Sequence, residues 1–371
     1  TGEPTGTVRE WPAMGMVTAL MSKPTLEDYH TGARLFLAQA ARFGITSLHD
    51  AMGKPPFLAT WERLEQDGNL TVRVTASQFG DPKQGPEQIH AIQETRKAWR
   101  SPLRKIGSVK MFLDGVIEGR TALMLEPYAD QPGYHGEPIW DPDHFKMVVT
   151  AFDKAGMQIH VHAVGDAAIR LGIEAVEIAH SQNGYRDNRH QITHLDLIHP
   201  DDIVRLKDRK IIANLQPAWY YCDSNFFTTA VPCLGRDRAE RQFPLRSLRD
   251  TGICLAFSSD WPFGGDLITF NPLDGVESAM TRKRSGGGPE EPLQPGQAVD
   301  LATMLNGFTI GSALADQSEG YSGTLKVGMF ADVIVLDRNL FTLRSEEIHQ
   351  AKVMLTLLSG TPVWRDPKGN V

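Results

Sequence analysis

The 371-residue sequence is poor in cysteine, in long apolar runs and in excess positive charge. Its three cysteines, Cys222, Cys233 and Cys254, have no C-x-x-C spacing, so neither a disulfide framework nor a zinc ribbon is indicated. No apolar run approaches ~18 residues, so no transmembrane helix and no membrane partner are expected. The formal net charge of -7 argues against nucleic acid as a partner, because binding of nucleic acid usually requires a basic face.

The composition is that of a globular protein, with 41% apolar and 22% charged residues in a chain long enough for one large domain or two ordinary ones. No signal peptide is visible, so we expect a cytoplasmic protein. This expectation leaves export open, because the sequence begins at Thr1 without a methionine.

Segments with strand character alternate with segments of helical periodicity, and polar groups recur just past the strand ends. This order is typical of a parallel β/α barrel, and no Gly-rich phosphate fingerprint supports the rival doubly wound sheet. A closed barrel needs eight strands, so one is missing and is expected before residue 1. The seven predicted strands are 45–50, 70–76, 107–113, 158–162, 190–194, 211–216 and 253–258. After them, the sequence predicts a helix over 300–315 and a β-hairpin formed by 353–360 and 361–364.

The strand Gln158–His162 places two imidazoles on one face, because side chains alternate along a strand. A pair of histidines suits a metal centre, although hydrogen-bonded core histidines fit an isolated His-x-His pair equally well. Four polar residues at strand ends converge in the predicted barrel: Lys110, His162, His194 and Asp260. Each of these residues alone is equally consistent with an ordinary structural role, as a surface lysine, a core histidine or a turn cap. Together they favour a metal that activates water, with a carboxylate to take its proton.

The chain resembles the amidohydrolase superfamily, specifically amidohydrolase family 3, the YtcJ-like metal-dependent hydrolases. The resemblance covers nearly the whole chain, and its motifs are specific as a set. They are Gly2-Glu3-Pro4-Thr5-Gly6, Gly44-Ile45-Thr46-Ser47, the segment 109–115, Arg120-Thr121-Ala122 with Pro127-Tyr128 beyond, the segment 162–166, Thr193-His194, Gln216-Pro217, Ser259-Asp260-Trp261-Pro262 and the segment 323–336.

This resemblance implies a barrel that holds one or two divalent metals, with zinc as the expected ion, for hydrolysis of an amide or related C–N bond in a small organic substrate. His162 and His194 resemble the ligands from the fifth and sixth strands. Asp260 resembles the eighth-strand carboxylate, which binds metal and handles the proton of the attacking water. Lys110 matches the fourth-strand lysine that is carbamylated in many relatives.

The resemblance also implies an α/β fold, a (β/α)8 TIM barrel with strands 2–8 present in residues 1–315 and a small β-sandwich segment in residues 316–371. The family's first strand, with its own His-x-His pair, has no counterpart here. We therefore expect the C-terminal two-thirds of such an enzyme and a missing N-terminal segment of the same protein. A truncated or non-catalytic regulatory relative is an alternative, as is an esterase or phosphotriesterase on the same fold.

Two long loops, 115–140 and 217–243, are expected to set substrate specificity. Their aromatic residues suggest an apolar or aromatic substrate moiety, although simple packing of the loops explains them equally well. The sequence leaves a homo-oligomer open. The candidate substrate-binding residues are His160, Asp114, Arg120, Trp219 and Trp261.

Overall fold

A curled parallel sheet of seven strands, with helices between successive strands, forms the body of the protein. The computed structural model describes residues 6, 8, 10–288 and 290–368, so the predicted motif at residues 2–5 lies outside the described residues. The sheet follows chain order, each strand pairing with the next. Its strands are β1 (Ser47–Asp50), β2 (Arg73–Phe79), β3 (Arg104–Phe112), β4 (Gln158–Ala163), β5 (Gln191–His194), β6 (Ile212–Leu215) and β7 (Leu255–Phe257).

Thirteen α-helices occur in the described residues. They are α1 (Glu10–Thr18), α2 (Leu26–Arg42), α3 (Pro55–Gln66), α4 (Gln88–Ala98), α5 (Pro142–Lys154), α6 (Asp166–Asn183), α7 (Pro200–Asp208), α8 (Val231–Leu234), α9 (Arg236–Ala239), α10 (Leu245–Asp250), α11 (Pro272–Thr281), α12 (Leu301–Asn306) and α13 (Ser312–Ala315). Among the described residues there is no helix with both the length and the apolar character needed to cross a bilayer.

Helix α5 shows how the sequence builds these elements. The side chain of Asp141 accepts a hydrogen bond from the His144 amide at 2.8 Å, and Pro142 occupies the first turn, where its missing N–H costs nothing. Phe145 and Phe152 are seven residues apart and therefore lie on the same face of the helix. Both side chains are buried in the core between this helix and the sheet. The cap thus determines where this helix begins, and its apolar face determines which side packs against the sheet.

Side-chain alternation sorts the sheet into an apolar and a polar face. On β4, Ile159 and Val161 are fully buried in the core between sheet and helices, whereas His160 and His162 face the inside of the curl. The parallel register aligns Lys110 with His160 on the neighbouring strand. Polar side chains therefore line the interior of the curled sheet, where a catalytic site of this architecture is expected.

The predicted β/α-barrel architecture with seven strands is confirmed. In the described part of the chain, β1 and β7 each pair with a single neighbour, so the sheet is curled but not closed. The expectation that an eighth strand precedes residue 1 stays a prediction.

The C-terminal segment forms a separate antiparallel sheet of three strands, β8 (Val333–Leu336), β9 (Val353–Leu358) and β10 (Thr361–Arg365). The predicted hairpin is the β9–β10 pair. An ion pair of 2.9 Å between Arg73 and Asp332 ties this sheet to the start of β2, and the Thr356 hydroxyl donates to the Ala41 carbonyl at 2.7 Å. The predicted domain division after residue 315 stays a prediction.

Two helical segments differ from the sequence expectation. Helix α11 was not among the predicted elements. It carries Gly275 in its interior, where a glycine lowers helix propensity, and a Cβ at this position would lie 3.1 Å from the Phe308 ring. The helix predicted over 300–315 is interrupted by a π-turn at residues 307–311. A Cβ on Gly311 would lie 2.0 Å from the Leu255 carbonyl oxygen, so a close approach to β7 shapes this turn.

Candidate active site

The carboxyl ends of the strands open into a cavity of about 2040 Å³. Polar residues from β3 to β7 lie at its floor, and aromatic residues from the following loops form much of its wall. The predicted site residues that line it are Lys110, Asp114, His160, His162, His194, Trp219, Asp260 and Trp261.

Lys110 faces the interior from β3 and is only 4% exposed. Its Nζ lies 4.9 Å from the centroid of the Phe112 ring. Burial lowers the pKa of Lys110 to about 8, an effect opposed by the negative charge of Asp260. The amine is therefore far easier to deprotonate than a surface lysine.

The two predicted histidine ligands are brought together. The ring centroids of His162 and His194 lie 4.5 Å apart at an interplanar angle of 70°. Their approach follows from the β4–β5 register, which sets Ala163 opposite His194. His162 Nε2 lies 3.0 Å from the Gly115 carbonyl oxygen, and burial lowers the pKa of His162 to about 3, so the ring is neutral.

His194 ends β5 with a left-handed backbone, φ 80°, which turns its ring from the sheet face toward the cavity. Its Nδ1 lies 2.8 Å from Oε1 of Gln216, and its ring stacks on Trp219 at 5.6 Å and 7°. Burial and the neighbouring His162 lower the pKa of His194 well below its usual range. Both candidate ligands are therefore in the neutral form that binds metal.

Asp260 follows β7 with φ 52° and lies at the cavity wall. Burial raises the pKa of Asp260 to about 6, while Lys110 pulls it down. The opposite shifts of Asp260 and Lys110 have one cause, since both groups sit in the same low-dielectric floor.

His160 is buried, 3% exposed, and neither ring nitrogen has a hydrogen-bond partner among the described residues. Its ring meets that of His49 edge-on at 5.1 Å. His49 itself is engaged, with Nδ1 at 2.6 Å from Asp316 Oδ1 and Nε2 at 2.7 Å from Ser77 Oγ. Buried polar atoms are normally hydrogen-bonded, because leaving them without a partner destabilises the folded state. Both nitrogens of His160 are therefore available to a ligand or a bridging water.

The donor set fits a divalent metal in its chemistry: two adjacent neutral imidazoles, a carboxylate, and a third imidazole with free nitrogens. The ligand atoms of His162, His194 and Asp260, however, do not all lie within 4.8 Å of one another. Within the described ranges, a single group of His, Cys, Asp or Glu brings three ligand atoms within 4.8 Å of one another, and it is Asp153, His180 and His190.

That group lies at the opposite end of the sheet, since His190 precedes β5. His190 Nδ1 accepts from the Ile159 amide at 3.2 Å, so Nε2 carries the proton and donates to Asp153 Oδ1 at 3.0 Å. Asn183 and Asn188 donate to the same carboxylate at 2.8 and 2.6 Å. With both nitrogens of His190 and the Asp153 carboxylate already engaged, the group serves stability, as expected for the amino-terminal end of a barrel.

Replacing Asp153 with asparagine is expected to destabilise the fold by about 2 kcal/mol, because it removes the charged acceptor of several buried hydrogen bonds. Burial alone would raise the pKa of Asp153, but hydrogen bonds from His190, Asn183 and Asn188 lower it to about 2, below the ordinary 3.8. The stabilisation is therefore present above pH 3.8 and lost as the pH falls toward 2. Urea unfolding across this window measures it. The exposed Asp208→Asn is the control, with an expected change within about 0.5 kcal/mol.

Asp114 lines the cavity, but its oxygens are committed to the backbone. Oδ1 accepts from the Val164 amide at 3.1 Å, and Oδ2 accepts from those of Gly165 and Leu123, each at 2.9 Å. Burial raises the pKa of Asp114 to about 7, against the effect of these three bonds. Its place in the structure is that of an anchor between the loop after β3 and the start of α6.

Arg120 is not among the residues that line the cavity. It pairs with Asp130 inside the same loop, with Nε 2.9 Å from Oδ2. The structure thus places Arg120 apart from the other candidate substrate-binding residues.

The aromatic residues of the two loops divide between cavity and core. Trp219 and Trp261 line the cavity, and Trp261 packs at 5.3 Å from Phe270 while remaining 46% exposed. Tyr128 instead stacks on Tyr134 at 6.0 Å and donates its hydroxyl to a loop carbonyl. Packing within the loop 115–140 therefore explains Tyr128 and Tyr134 better than substrate contact does.

Several carboxylates at the cavity were not singled out from the sequence, and two of them, Asp196 and Glu118, lie near the candidate ligands. Asp196, two residues beyond His194, lines the cavity, and its burial raises its pKa well above the usual range, helped by Glu118, Asp114 and Asp260. Glu118 lines the cavity as well. The signal for Asp196 was available, because it is a polar residue just past a strand end, whereas Glu118 lies in an irregular loop without such a signal.

A sequence model described as the amidohydrolase family matches residues 1–364. The putative amidohydrolase YtcJ of Bacillus subtilis (strain 168) is 29% identical over 263 residues, 71% of this chain and 48% of that protein. Protein LONG AFTER FAR-RED 3 of Arabidopsis thaliana is 29% identical over 260 residues, 70% of this chain and 43% of that protein. The chain thus spans about half the length of these two curated relatives.

A third relative, the N-substituted formamide deformylase of Arthrobacter pascens, is 22% identical over 371 residues, 97% of this chain and 65% of that protein. Among solved structures, an uncharacterized metal-dependent hydrolase from Pyrococcus horikoshii superposes with a TM-score of 0.74 at 24% identity. That match covers 90% of this chain and 64% of the other. A metal-dependent hydrolase from Pyrococcus furiosus gives 0.70 at 26% identity, covering 88% and 63%.

Proposed function

The chain belongs to the amidohydrolase family, and from this premise we propose that it hydrolyses an amide or a related C–N bond of a small organic substrate with the help of a divalent metal. The observation that carries the proposal is the meeting of His162 and His194, with ring centroids 4.5 Å apart, in a cavity that Asp260 also lines. Neutral imidazoles and a carboxylate at the carboxyl ends of parallel strands are the donors that such chemistry requires.

The metal, with zinc as the expected ion, would be held by His162, His194 and Asp260, and would supply Lewis-acid polarisation of water and of the substrate carbonyl. His160, with two unpartnered nitrogens, is available as a further ligand or as a contact to substrate. The protein's own part is to keep the imidazoles neutral by burial and to exclude bulk water from the cavity floor.

Asp260 handles the proton of the reaction. Its carboxylate takes a proton from the attacking water and returns it to the leaving nitrogen, which needs a proton before the C–N bond breaks. Burial raises the pKa of Asp260 to about 6, which makes this carboxylate a stronger base than an ordinary aspartate for that transfer.

Lys110 is proposed to be carbamylated. Its pKa, lowered to about 8 by burial, makes the uncharged amine accessible, and the uncharged amine is the form that combines with carbon dioxide. The carbamate would place two oxygen donors beside His160, which is aligned with Lys110 across the β3–β4 register.

The substrate is proposed to carry an apolar or aromatic moiety. Trp219 and Trp261 lie on the cavity wall, where flat apolar surfaces favour such a group. The relative from Arthrobacter pascens is an N-substituted formamide deformylase, which makes N-substituted formamides the first compounds to assay.

One observation favours the alternative of a non-catalytic relative. His162, His194 and Asp260 do not bring three ligand atoms within 4.8 Å of one another in the part of the chain that the structure describes. An incomplete centre of this kind would bind metal weakly and turn over nothing.

The test is the metal content of protein purified without added metal, followed by release of formate from a panel of N-substituted formamides. We expect about one zinc or more per chain and measurable turnover. A His162→Asn/His194→Asn double variant is expected to lose the metal, whereas a His180→Asn variant at the opposite end of the sheet is expected to retain it. Metal-free protein without activity after zinc is supplied would contradict the proposal and support the non-catalytic alternative.

A further inference from the structure

The amide of Gln216, just after β6, lies against the candidate ligand His194. We propose that Gln216 is a positioning residue that holds His194 in the Nδ1–H tautomer and so leaves the lone pair of Nε2 free for a metal. This inference rests on the proposed function for the identity of the ligand, but the tautomer is a property of the protein itself.

The orientation of the Gln216 amide carries the inference. Gln216 is 2% exposed, and its amide nitrogen donates to Ser258 Oγ at 2.8 Å and to Thr193 Oγ1 at 3.2 Å. Its oxygen therefore faces His194 Nδ1, at 2.8 Å. An amide oxygen accepts only, so Nδ1 must carry the proton and donate.

A chain of hydrogen bonds across three strands sets this orientation. The Asn214 amide nitrogen donates to Gln191 Oε1 at 2.8 Å, and Asn214 Oδ1 accepts the Ser258 hydroxyl at 2.9 Å. Ser258 has then used its proton and presents lone pairs to the Gln216 nitrogen. In this arrangement the Ser258 hydroxyl donates to Asn214 and accepts from Gln216, so the hydrogen bonds among β5, β6 and the residue after β7 run in one direction and agree with the Gln216 oxygen facing His194.

The other nitrogen of His194 is left open. No hydrogen bond to His194 Nε2 occurs within residues 10–288 and 290–368, and the ring lines the cavity. With its proton held on Nδ1 by the Gln216 oxygen, an uncharged imidazole has its lone pair on Nε2. A hydrogen bond from the distal nitrogen to a carbonyl is the usual way in which proteins orient a metal-binding histidine, and its loss costs ~10–100-fold in metal affinity.

The experiment records long-range ¹H–¹⁵N NMR spectra of the full chain labelled at histidine nitrogen, without metal, and identifies His194 from a His194→Gln spectrum. We expect the Nδ1–H pattern for His194 in the native chain. In Gln216→Met the Nε2–H pattern is expected to grow, and zinc affinity measured by titration calorimetry is expected to fall by ~10–100-fold. Gln216→Glu, which keeps an oxygen at the same place, is expected to restore the Nδ1–H pattern.

The matched control is Gln88→Met, which removes another buried glutamine amide, far from the cavity and bonded only to its own loop. It is expected to leave the His194 spectrum and zinc affinity unchanged. Should Gln216→Met fail to fold, Ser258→Ala tests the same orientation by removing the acceptor of the amide nitrogen, with the same expected spectral change.

An Nε2–H pattern for His194 in the native chain, or an unchanged pattern in both Gln216→Met and Ser258→Ala, would overturn the inference. Failure of the proposed function looks different. A chain that shows the expected tautomers but hydrolyses none of the substrates supports the positioning role of Gln216 and removes only the catalytic assignment.

Discussion

The Asp260→Asn variant is expected to lose turnover by about 10³-fold while keeping its fold, because the amide cannot take the proton of the attacking water. The backbone carbonyl of Asp260 accepts a hydrogen bond from the Phe263 amide at 2.9 Å, and this bond does not involve the carboxylate. Replacement by the isosteric amide leaves that bond in place. The measurement is kcat on the best N-substituted formamide, with the thermal midpoint recorded in parallel.

The matched control is Asp266→Asn in the loop after Asp260. Asp266 accepts hydrogen bonds from the amide and hydroxyl of Ser224, and it is not among the residues that line the cavity. It is expected to keep kcat within a factor of about two while tolerating a similar loss of charge. Full activity in Asp260→Asn would remove this residue from the mechanism and move the proton transfer to another carboxylate at the cavity, Asp196 first.

The second large effect concerns metal binding by His162. We expect His162→Asn to weaken zinc binding by about two to three orders of magnitude, since total zinc-binding free energies of about 10–16 kcal/mol are shared among three or four ligands. Zinc titration calorimetry with a competing chelator measures the change. Affinity equal to that of the native chain would show that the metal lies elsewhere.

Two further histidines sharpen this measurement. His180→Asn perturbs the Asp153 group at the opposite end of the sheet and is expected to leave zinc affinity unchanged. The His160→Asn variant tests whether this imidazole, which has no hydrogen-bond partner among the described residues, contacts the metal or the substrate. A fall in zinc affinity would identify His160 as a metal ligand. A rise in KM with unchanged zinc affinity would identify it as a substrate contact.

The residues predicted for the metal centre could be recognised because each stands at the end of a strand. Parallel strands bring their carboxyl ends to one edge, so Lys110, His162, His194 and Asp260 meet at one cavity although they are far apart in sequence. The roles assigned to them stay predictions until metal and activity are measured.

The predicted substrate-binding residues divide in the structure according to their hydrogen bonds. Trp219, Trp261 and His160 present their surface to the cavity. Asp114 lies there with its oxygens bound to three amides, and Arg120 is paired with Asp130 outside the lining. A motif identifies such residues but does not say which partner each side chain takes, because the partners come from other strands and loops.

The sequence by itself determined the order of the seven strands of the sheet and the inward face of β4, because the alternation of side chains along a strand is a local property of the chain. Only the tertiary structure decided the break at residues 307–311, the formation of α11 around Gly275, and the direction of the Gln216 amide. These depend on contacts with residues remote in sequence, such as Ser258 for Gln216 at a separation of 42 residues. Local patterns carry no record of such contacts, and so the element order could be predicted while the fine geometry of the site could not.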